Sequence, residues 1–420
     1  MNEYEYTGIS TRPDITGFTQ VAGTGGGYTG GYNTALRVAS NFDGSKVAVS
    51  DESKGTVTIY DYVETTNTWS IKAELTSGSP YTSNGFGVSI SMDWDAERIA
   101  IGAHGISTVY TYDFINTTWV GPRIIQGDTG SDFGYSVSLA ANSPDLLCIG
   151  APKYNKVYIY NDIQANWNRV YVDDGLTILS RIPETPTSNI ILKPEYNAYG
   201  YHVNMSPSGE YVVAGAPGTY MSNILTSNIL YIESGGTLSS PPLGIDYPFG
   251  TNGDAVLNGV YPDQMKHVGN VRVLSRNGDT WSPATSIRLG QDIPGDPENY
   301  ILGSNYYPGY VNRGNSTTST GWCMPSFGWC THIKDEYGQN NDIVITVSSP
   351  TYTWGRDRSF YSGKISRFIY SSDINDWKPF GYDLISQFKG ALYGHSFSMD
   401  YDGKRIAIGS QTCFQADYYN

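Results

Sequence analysis

The residue types able to run chemistry are thinly spread in this sequence. Five histidines occur, His104, His202, His267, His332 and His395, and no two are paired at zinc-ligand spacing. Gly25–Gly30 matches the G-x-G-x-x-G pattern of a dinucleotide site. Such a site needs a preceding strand, a following helix and an acidic residue about twenty positions on. Strand follows here, so these glycines read as a flexible loop. No Gly-x-Ser-x-Gly elbow is present to expose a serine nucleophile, and sialidase-type Ser-x-Asp-x-Gly-x-x-Trp boxes are absent. Glycoside hydrolysis needs only two carboxylates close in space, and nothing marks one pair among the 40 acidic residues. The chain is therefore expected not to be an enzyme. Cys148, inside Leu147-Cys148-Ile149, reads as a small buried hydrophobe. Cys323 and Cys330 are near enough in sequence to pair in an oxidising compartment, or to remain free thiols.

What would position any functional group is a repeated strand unit. Its clearest copy runs from Gly85 through Phe86-Gly87 to Ile99–Ala103, then Val109–Tyr112 and Trp119. The next has Phe133-Gly134, Leu147–Pro152, Val157–Tyr160 and Trp167. Further copies carry Tyr199-Gly200, Val212–Pro217, Val271–Leu274 and Trp281, then Phe327-Gly328, Ile343–Thr346, Ile365–Tyr370 and Trp377. A last partial copy holds Tyr393-Gly394 and Arg405–Gly409, and the first spans Ala35–Ser40, Val47–Ser50, Val57–Tyr60 and Trp69. Period-2 alternation such as Val88-Ser89-Ile90-Ser91 makes a strand with one buried face. Asp43-Gly44, Ser208-Gly209 and Asp402-Gly403 are hairpin turns in which Gly supplies positive φ. Arg98–Ala103 is almost continuously apolar, as a strand buried on both faces would be. The tyrosine-rich segment is a third strand, and each Trp opens a fourth.

Four antiparallel strands repeated radially describe a β-propeller blade. The expected fold is all-β, one β-propeller of six four-stranded antiparallel blades over residues 1–420. A seventh blade between Ile229 and Val260 is the alternative, with Asn228–Glu233 as an extra strand. The last copy stops after its second strand, while Tyr4–Tyr6 and Ile15–Val21 precede the first full unit. Those segments fit the missing third and fourth strands, so N- and C-terminal strands are expected to share one blade and leave no exposed edge.

Composition agrees: 48 Gly, 35 Tyr and 9 Trp with only 16% charged residues point to glycine turns and aromatic strands. A net charge of -14 repels phosphate backbones and anionic lipid, so no nucleic-acid partner is expected. The longest apolar runs, such as Ile99–Ala103, are strand-length, which argues against membrane insertion. Met1–Ser10 shows no basic or apolar leader region, so no secretory signal is expected. Two stretches depart from the repeat, at about 218–268 and 285–325. The aromatic residues Tyr300, Tyr306, Tyr307, Tyr310, Trp322 and Trp329 stand there or beside it among Gly, Asn, Ser and Thr. Tyr220, Tyr231, Tyr247 and Tyr261 lie in the earlier stretch. That is the composition of adaptable recognition surfaces, and equally of loops that pack on their own scaffold.

The tandem Phe-Gly-x-Ser-Val-Ser, Asp-Gly, Ile-Ala-Ile-Gly-Ala-Pro and Val-Tyr-x-Tyr pattern resembles FG-GAP-type repeats, of which the integrin α-chain propeller is the best-known relative. It is similar above all to a looser version found in bacterial surface proteins and in structural proteins of phages and large viruses. Integrin-type repeats often carry a calcium loop of alternating Asp and Asn. Here Asp93 and Asp95, and Asp400 and Asp402, sit where hairpin turns must be, so turn formation is the favoured role. Asp335–Asp342 is the best calcium candidate, with a lengthened solvated turn as its plainer reading. No cofactor or metal is expected.

The resemblance implies a noncatalytic structural or adhesion protein on a virion surface, associated with capsid or tail. Its expected partners are other virion structural proteins or host surface glycans. A bacterial surface or secreted binding module at the cell exterior is the alternative, and a glycan-active enzyme the third reading.

Overall fold

Period-2 patterning with glycine turns builds antiparallel sheets in series. The computed structural model describes residues 37–78, 84–175, 198–217, 220–222, 265–267, 270–282, 292–294, 327–338, 342–350, 363–371, 376–386, 392–400 and 403–410. The first sheet holds β1 (Val38–Ser40), β2 (Lys46–Asp51), β3 (Thr56–Val63) and β4 (Thr68–Thr76), side by side in chain order. The second repeats this with β5 (Phe86–Met92), β6 (Arg98–Ala103), β7 (Thr108–Ile115) and β8 (Thr118–Gln126). The third has β9 (Ser136–Ala140), β10 (Ser143–Ala151), β11 (Lys156–Ile163) and β12 (Asn166–Asp174). Trp69, Trp119, Trp167, Trp281 and Trp377 each stand on the outermost strand of their sheet, as the pattern requires. Gly44, Gly209 and Gly403 all take positive φ in their hairpins.

The fourth sheet contains β13 (Val203–Met205), β14 (Tyr211–Ala216), β17 (Asn270–Asn277) and β18 (Thr280–Ser282). A further strand, β19 (Asp292–Pro294), also pairs with β17, at Asn270–Arg272. In the first sheet the unbroken β4 covers both of these stretches of its neighbour. Here β18 and β19 pair with those two stretches of β17 as separate segments. Part of the 285–325 stretch therefore returns to the sheet. The fifth sheet shows the same arrangement on a smaller scale, with β20 (Thr331–Tyr337), β21 (Asp342–Ser349), β22 (Lys364–Ser371), β23 (Asp376–Pro379) and the short β24 (Leu384–Ile385). A two-stranded sheet, β25 (Ser396–Met399) and β26 (Ile406–Gly409), follows. Between β14 and β17, β15 (Tyr220–Ser222) pairs with β16 (Met265–His267), so the 218–268 stretch begins and ends as a ribbon prolonging that hairpin.

The core lies between sheets. One cluster joins Ala48, Val57 and Ile59 of the first to Phe86, Ile99 and Ile101 of the second. The next joins Val109 and Ile125 to Phe133, Leu147 and Ile149. Two more join the third sheet to the fourth and the fourth to the fifth. Each intermediate sheet is thus packed on both faces, which explains the apolar second strands. Glycine makes the approach possible. A Cβ on Gly102 would lie 1.9 Å from the Gly134 carbonyl oxygen, and one on Gly150 2.0 Å from that of Gly200. The chain is an all-β protein of four-stranded antiparallel sheets with a propeller-like fold.

Candidate functional site at the axial end of the inner strands

In an antiparallel sheet, alternate connections lie at opposite ends. At one end the first-to-second and third-to-fourth strand hairpins are tight throughout the first four sheets, as at Asn41–Ser45, Asp93–Glu97 and Asn116–Thr117. At the other end lie the second-to-third connections and the crossings to the next sheet. In the second and third sheets these are 3-10 turns at His104–Ile106 and Pro152–Tyr154. From the third sheet onward they lengthen. The stretches 175–202, 217–269, 295–330 and 350–363 all leave and rejoin the sheets at this end.

The inner strands begin at this same end. The residue after each Phe/Tyr-Gly pair is Val88, Tyr135, Tyr201, Trp329 and His395 in successive sheets. Four consecutive aromatic rings form an arc. Tyr135 and Tyr201 have ring centroids 5.0 Å apart, Tyr201 and Trp329 4.7 Å, and Trp329 and His395 5.5 Å. His104 extends the arc by packing 5.5 Å from Tyr135. All five rings are half-buried.

The serines that alternate along the inner strands have a structural purpose that the pattern alone did not reveal. An inner strand is the edge of its sheet, so its outward N–H groups need partners. Side chains of the preceding sheet supply them. Val203 and Met205 N–H donate to Ser136 and Ser138 Oγ at 3.0 and 2.9 Å. Leu139 N–H donates to Ser91 Oγ at 2.9 Å, and Ile333 N–H to Asn204 Oδ1 at 2.9 Å. His202 takes the corresponding place in the fourth sheet, its Nδ1 accepting Thr331 N–H at 3.1 Å. The acceptor role fixes a neutral ring with its proton on Nε2. Part of the ring surface is accessible, yet surrounding protein desolvates it. Burial, assisted by the Arg37 charge, pushes its pKa down to about 4.

Arg37, in the first sheet, donates from Nε to the Val88 carbonyl at 3.0 Å and is itself exposed. Its charge also reaches His395, lowered mainly by burial, and Cys330, whose thiol burial pushes up to about 11. Cys330 carries a free buried thiol with Sγ 3.4 Å from the His395 carbonyl oxygen.

Of the aromatic residues marked from sequence, Tyr300, Tyr306, Tyr307, Tyr310 and Trp322 lie outside the described residues, as do Tyr231, Tyr247, Tyr261 and Cys323. Trp329 is described, and it belongs to the repeat position after Gly328 rather than to an insertion. Asp93 and Asp400 are turn formers: Oδ1 of Asp93 accepts Glu97 and Arg98 N–H, and Oδ1 of Asp400 accepts Lys404 and Arg405 N–H. Asp335 is buried on β20 and accepts the Ser208 hydroxyl of the preceding sheet, while Asp342 opens β21. The two ends of the calcium candidate are therefore strand residues flanking the hairpin. Among the described residues no cluster of three or more His, Cys, Asp or Glu is arranged to hold a metal ion.

No protein-family model matches this sequence, and no curated protein matches it. Among solved structures, the chain is similar to Kuenenia stuttgartiensis hydrazine synthase at 12% identity and a TM-score of 0.43, over 91% of this chain and 77% of that one. A functionally unknown protein from Desulfotomaculum acetoxidans matches at 11% identity and 0.40, over 88% and 77%. A putative 6-phosphogluconolactonase from Bacteroides uniformis matches at 10% and 0.38, over 83% and 70%. At these values the likenesses carry no argument about activity.

Proposed function

We propose that this chain is a noncatalytic binding and docking protein, a structural or adhesion component on the outside of a phage or large-virus particle. The observation that carries the reading is the polarity of the fold. In the first four sheets one end is closed by tight hairpins, while the connections 175–202, 217–269, 295–330 and 350–363 leave and rejoin at the other, where the aromatic arc lies. Loops carried at one end of a rigid scaffold are a common way to build a recognition surface. Half-buried Tyr and Trp supply contact area with little conformational entropy to lose. The virion setting draws on the FG-GAP-like repeat pattern. Mass spectrometry of purified particles tests it. The chain present at fixed copy number and cross-linked to capsid or tail proteins is the expected result, and its absence from particles would remove the reading.

The finer fold belongs to the same proposal: six FG-GAP-like blades closing into a ring. Two observations support closure. Arg37 of the first sheet is felt electrically by Tyr201, His202, Cys330 and His395 of the fourth, fifth and sixth, as inner strands converging on one axis require. The faces left open also complement each other. Val38 and Ser40 of the first sheet are exposed, as are Ser396, Ser398 and Ala407 of the sixth. The sixth has only its two inner strands among the described residues. Tyr4–Tyr6 and Ile15–Val21, which lie outside those residues, are the segments assigned to complete it.

A further inference from the structure

We propose that the seam between the fourth and fifth sheets is an acid-sensitive joint: protonation of His202 removes the acceptor of its bond to Thr331, so acid loosens the fifth and sixth sheets from the first four. The joint lies between adjacent sheets and needs neither ring closure nor the docking role above.

The inner strands are latched to one another by a repeated set of bonds. Side chains two and four positions after a repeat glycine accept main-chain N–H groups of the next sheet. Ser91 of the second sheet and Ser136 and Ser138 of the third fill such places. A serine hydroxyl accepts a hydrogen bond at neutral and acid pH alike. In the fourth sheet the first of the two places belongs to His202. Its Nδ1 accepts the Thr331 N–H at 3.1 Å, with the Thr331 hydroxyl at 3.1 Å as well. Thr331 is 2% exposed, so water does not replace a lost bond there. An imidazolium has no acceptor atom. Protonation therefore sets an N–H of the ring against the buried N–H of Thr331.

A second histidine stands at the next seam. His332 holds the place in the fifth sheet that Ser138 and Asn204 hold in the third and fourth. It shares a strand face with Cys330. The Cys330 Sγ lies 3.4 Å from the His395 carbonyl oxygen and accepts the Phe397 N–H of the sixth sheet. The buried apolar clusters of the described residues join the first five sheets and include no residue of the sixth. Polar contacts carry more of that last seam.

The surroundings keep both rings neutral. Surrounding protein desolvates these half-buried rings and pushes their pKa down to about 4. The charge acting on His202 is that of Arg37. Those acting on His332 are Arg367 of β22, His202, Lys334 of its own strand and Asp400 of the sixth sheet. The Tyr201 hydroxyl and Cys330 thiol are pushed up by burial and stay neutral. Of these groups only Asp400 favours a protonated ring, and its Oδ1 already accepts Lys404 and Arg405 N–H.

The test is hydrogen exchange of the full chain, followed amide by amide by NMR and corrected for the intrinsic dependence on pH. It compares two equivalent N–H groups, Thr331 held by His202 and Val203 held by Ser136. A ring held below its ordinary pKa of 6.5 stabilises the closed seam fully above about pH 6.5, and that stabilisation falls about tenfold per unit as pH drops toward 4. From about pH 7.5 to about pH 5, protection of Thr331 should fall about thirtyfold relative to Val203. His202→Asn, which keeps an acceptor, should abolish the difference. A relative fall of less than about threefold, or one that survives His202→Asn, would overturn the proposal. If that variant does not fold, the ring resonances of His202 in the unaltered protein decide: titration below about pH 5 is expected, and titration near 6.5 rejects the joint.

Discussion

Three departures from the repeat meet at the seam between the third and fourth sheets, and they should behave as one unit. Asp173 stands where the first two sheets have Leu75 and Ile125. Arg272 stands where the second and third have Tyr110 and Tyr158. Tyr199 replaces Phe86 and Phe133 before the repeat glycine. Arg272 Nη1 lies 2.9 Å from Asp173 Oδ2, and the Tyr199 hydroxyl donates to the same oxygen at 2.5 Å. The pair is deeply buried, with Asp173 5% and Arg272 3% exposed. Removing one partner strands the other charge in a low-dielectric seam, which typically costs about 3–5 kcal/mol. Arg272→Ala and Asp173→Leu should each lose that much. Restoring the repeat with Asp173→Leu, Arg272→Tyr and Tyr199→Phe together should come within about 1 kcal/mol of the unaltered protein or exceed it, because well-packed apolar replacements of buried ion pairs are often neutral or stabilising. Denaturant unfolding followed by tryptophan fluorescence reads all of these. Additive losses in the combined variant, or single losses under about 1 kcal/mol, would refute the view that the three changes compensate one another.

The remaining predictions concern seams, protons and closure. Gly102→Ala, whose Cβ would meet the Gly134 carbonyl at 1.9 Å, should cost about 3 kcal/mol or more in the same assay, whereas Gly130→Ala, with open space around it and φ of 76°, should cost only about 1–2. His202, with its folded pKa pushed to about 4, below the usual 6.5, should give stability that is full above about pH 6.5 and lost as pH falls through 4, by up to about 3 kcal/mol. Asp93 works in the opposite direction, since burial raises its carboxyl to about 6. The readout is therefore the difference from His202→Asn, which keeps an acceptor as Asn204 does and should flatten the acid loss; an unchanged pH profile would reject the assignment. Deleting Met1–Ile9 should lower the melting temperature of the whole protein if those residues help complete the sixth sheet, and an unchanged value would contradict shared closure.

The strand pattern was legible because burial on both faces leaves few choices. Val212–Ala216 cannot alternate when it has a sheet on each side, and the outer-strand tryptophans recur because that position recurs. The partner side of the repeat was hidden. Ser136 and Ser138 look like solvent-facing residues of an amphipathic strand, yet they satisfy main-chain N–H groups of the next sheet, and one-dimensional alternation does not say which neighbour lies across. Trp329 was marked for its aromatic company, while its functional placement follows from the glycine before it. The ion pair of Asp173 and Arg272 was invisible for a related reason. Its residues are 99 positions apart, and only superposing the repeats shows that both depart from the pattern where they touch.

The same register explains why only one end of the fold accepts long connections. At the hairpin end, main-chain bonds stitch one sheet to the next: Phe42 N–H donates to the Trp94 carbonyl, Trp94 N–H to Ala141, and Asn142 N–H to Pro207. Phe42 and Trp94 also stack at 3.8 Å. An insertion there would break a bond between sheets as well as a turn within one. At the opposite end the contacts that hold sheets together are the glycine approaches and inner-strand side chains, which lie within the strands themselves. Connections can lengthen there without disturbing them. An architecture of this kind lets one end vary while the other end and the seams stay fixed, and the aromatic arc lies on the end that is free to vary.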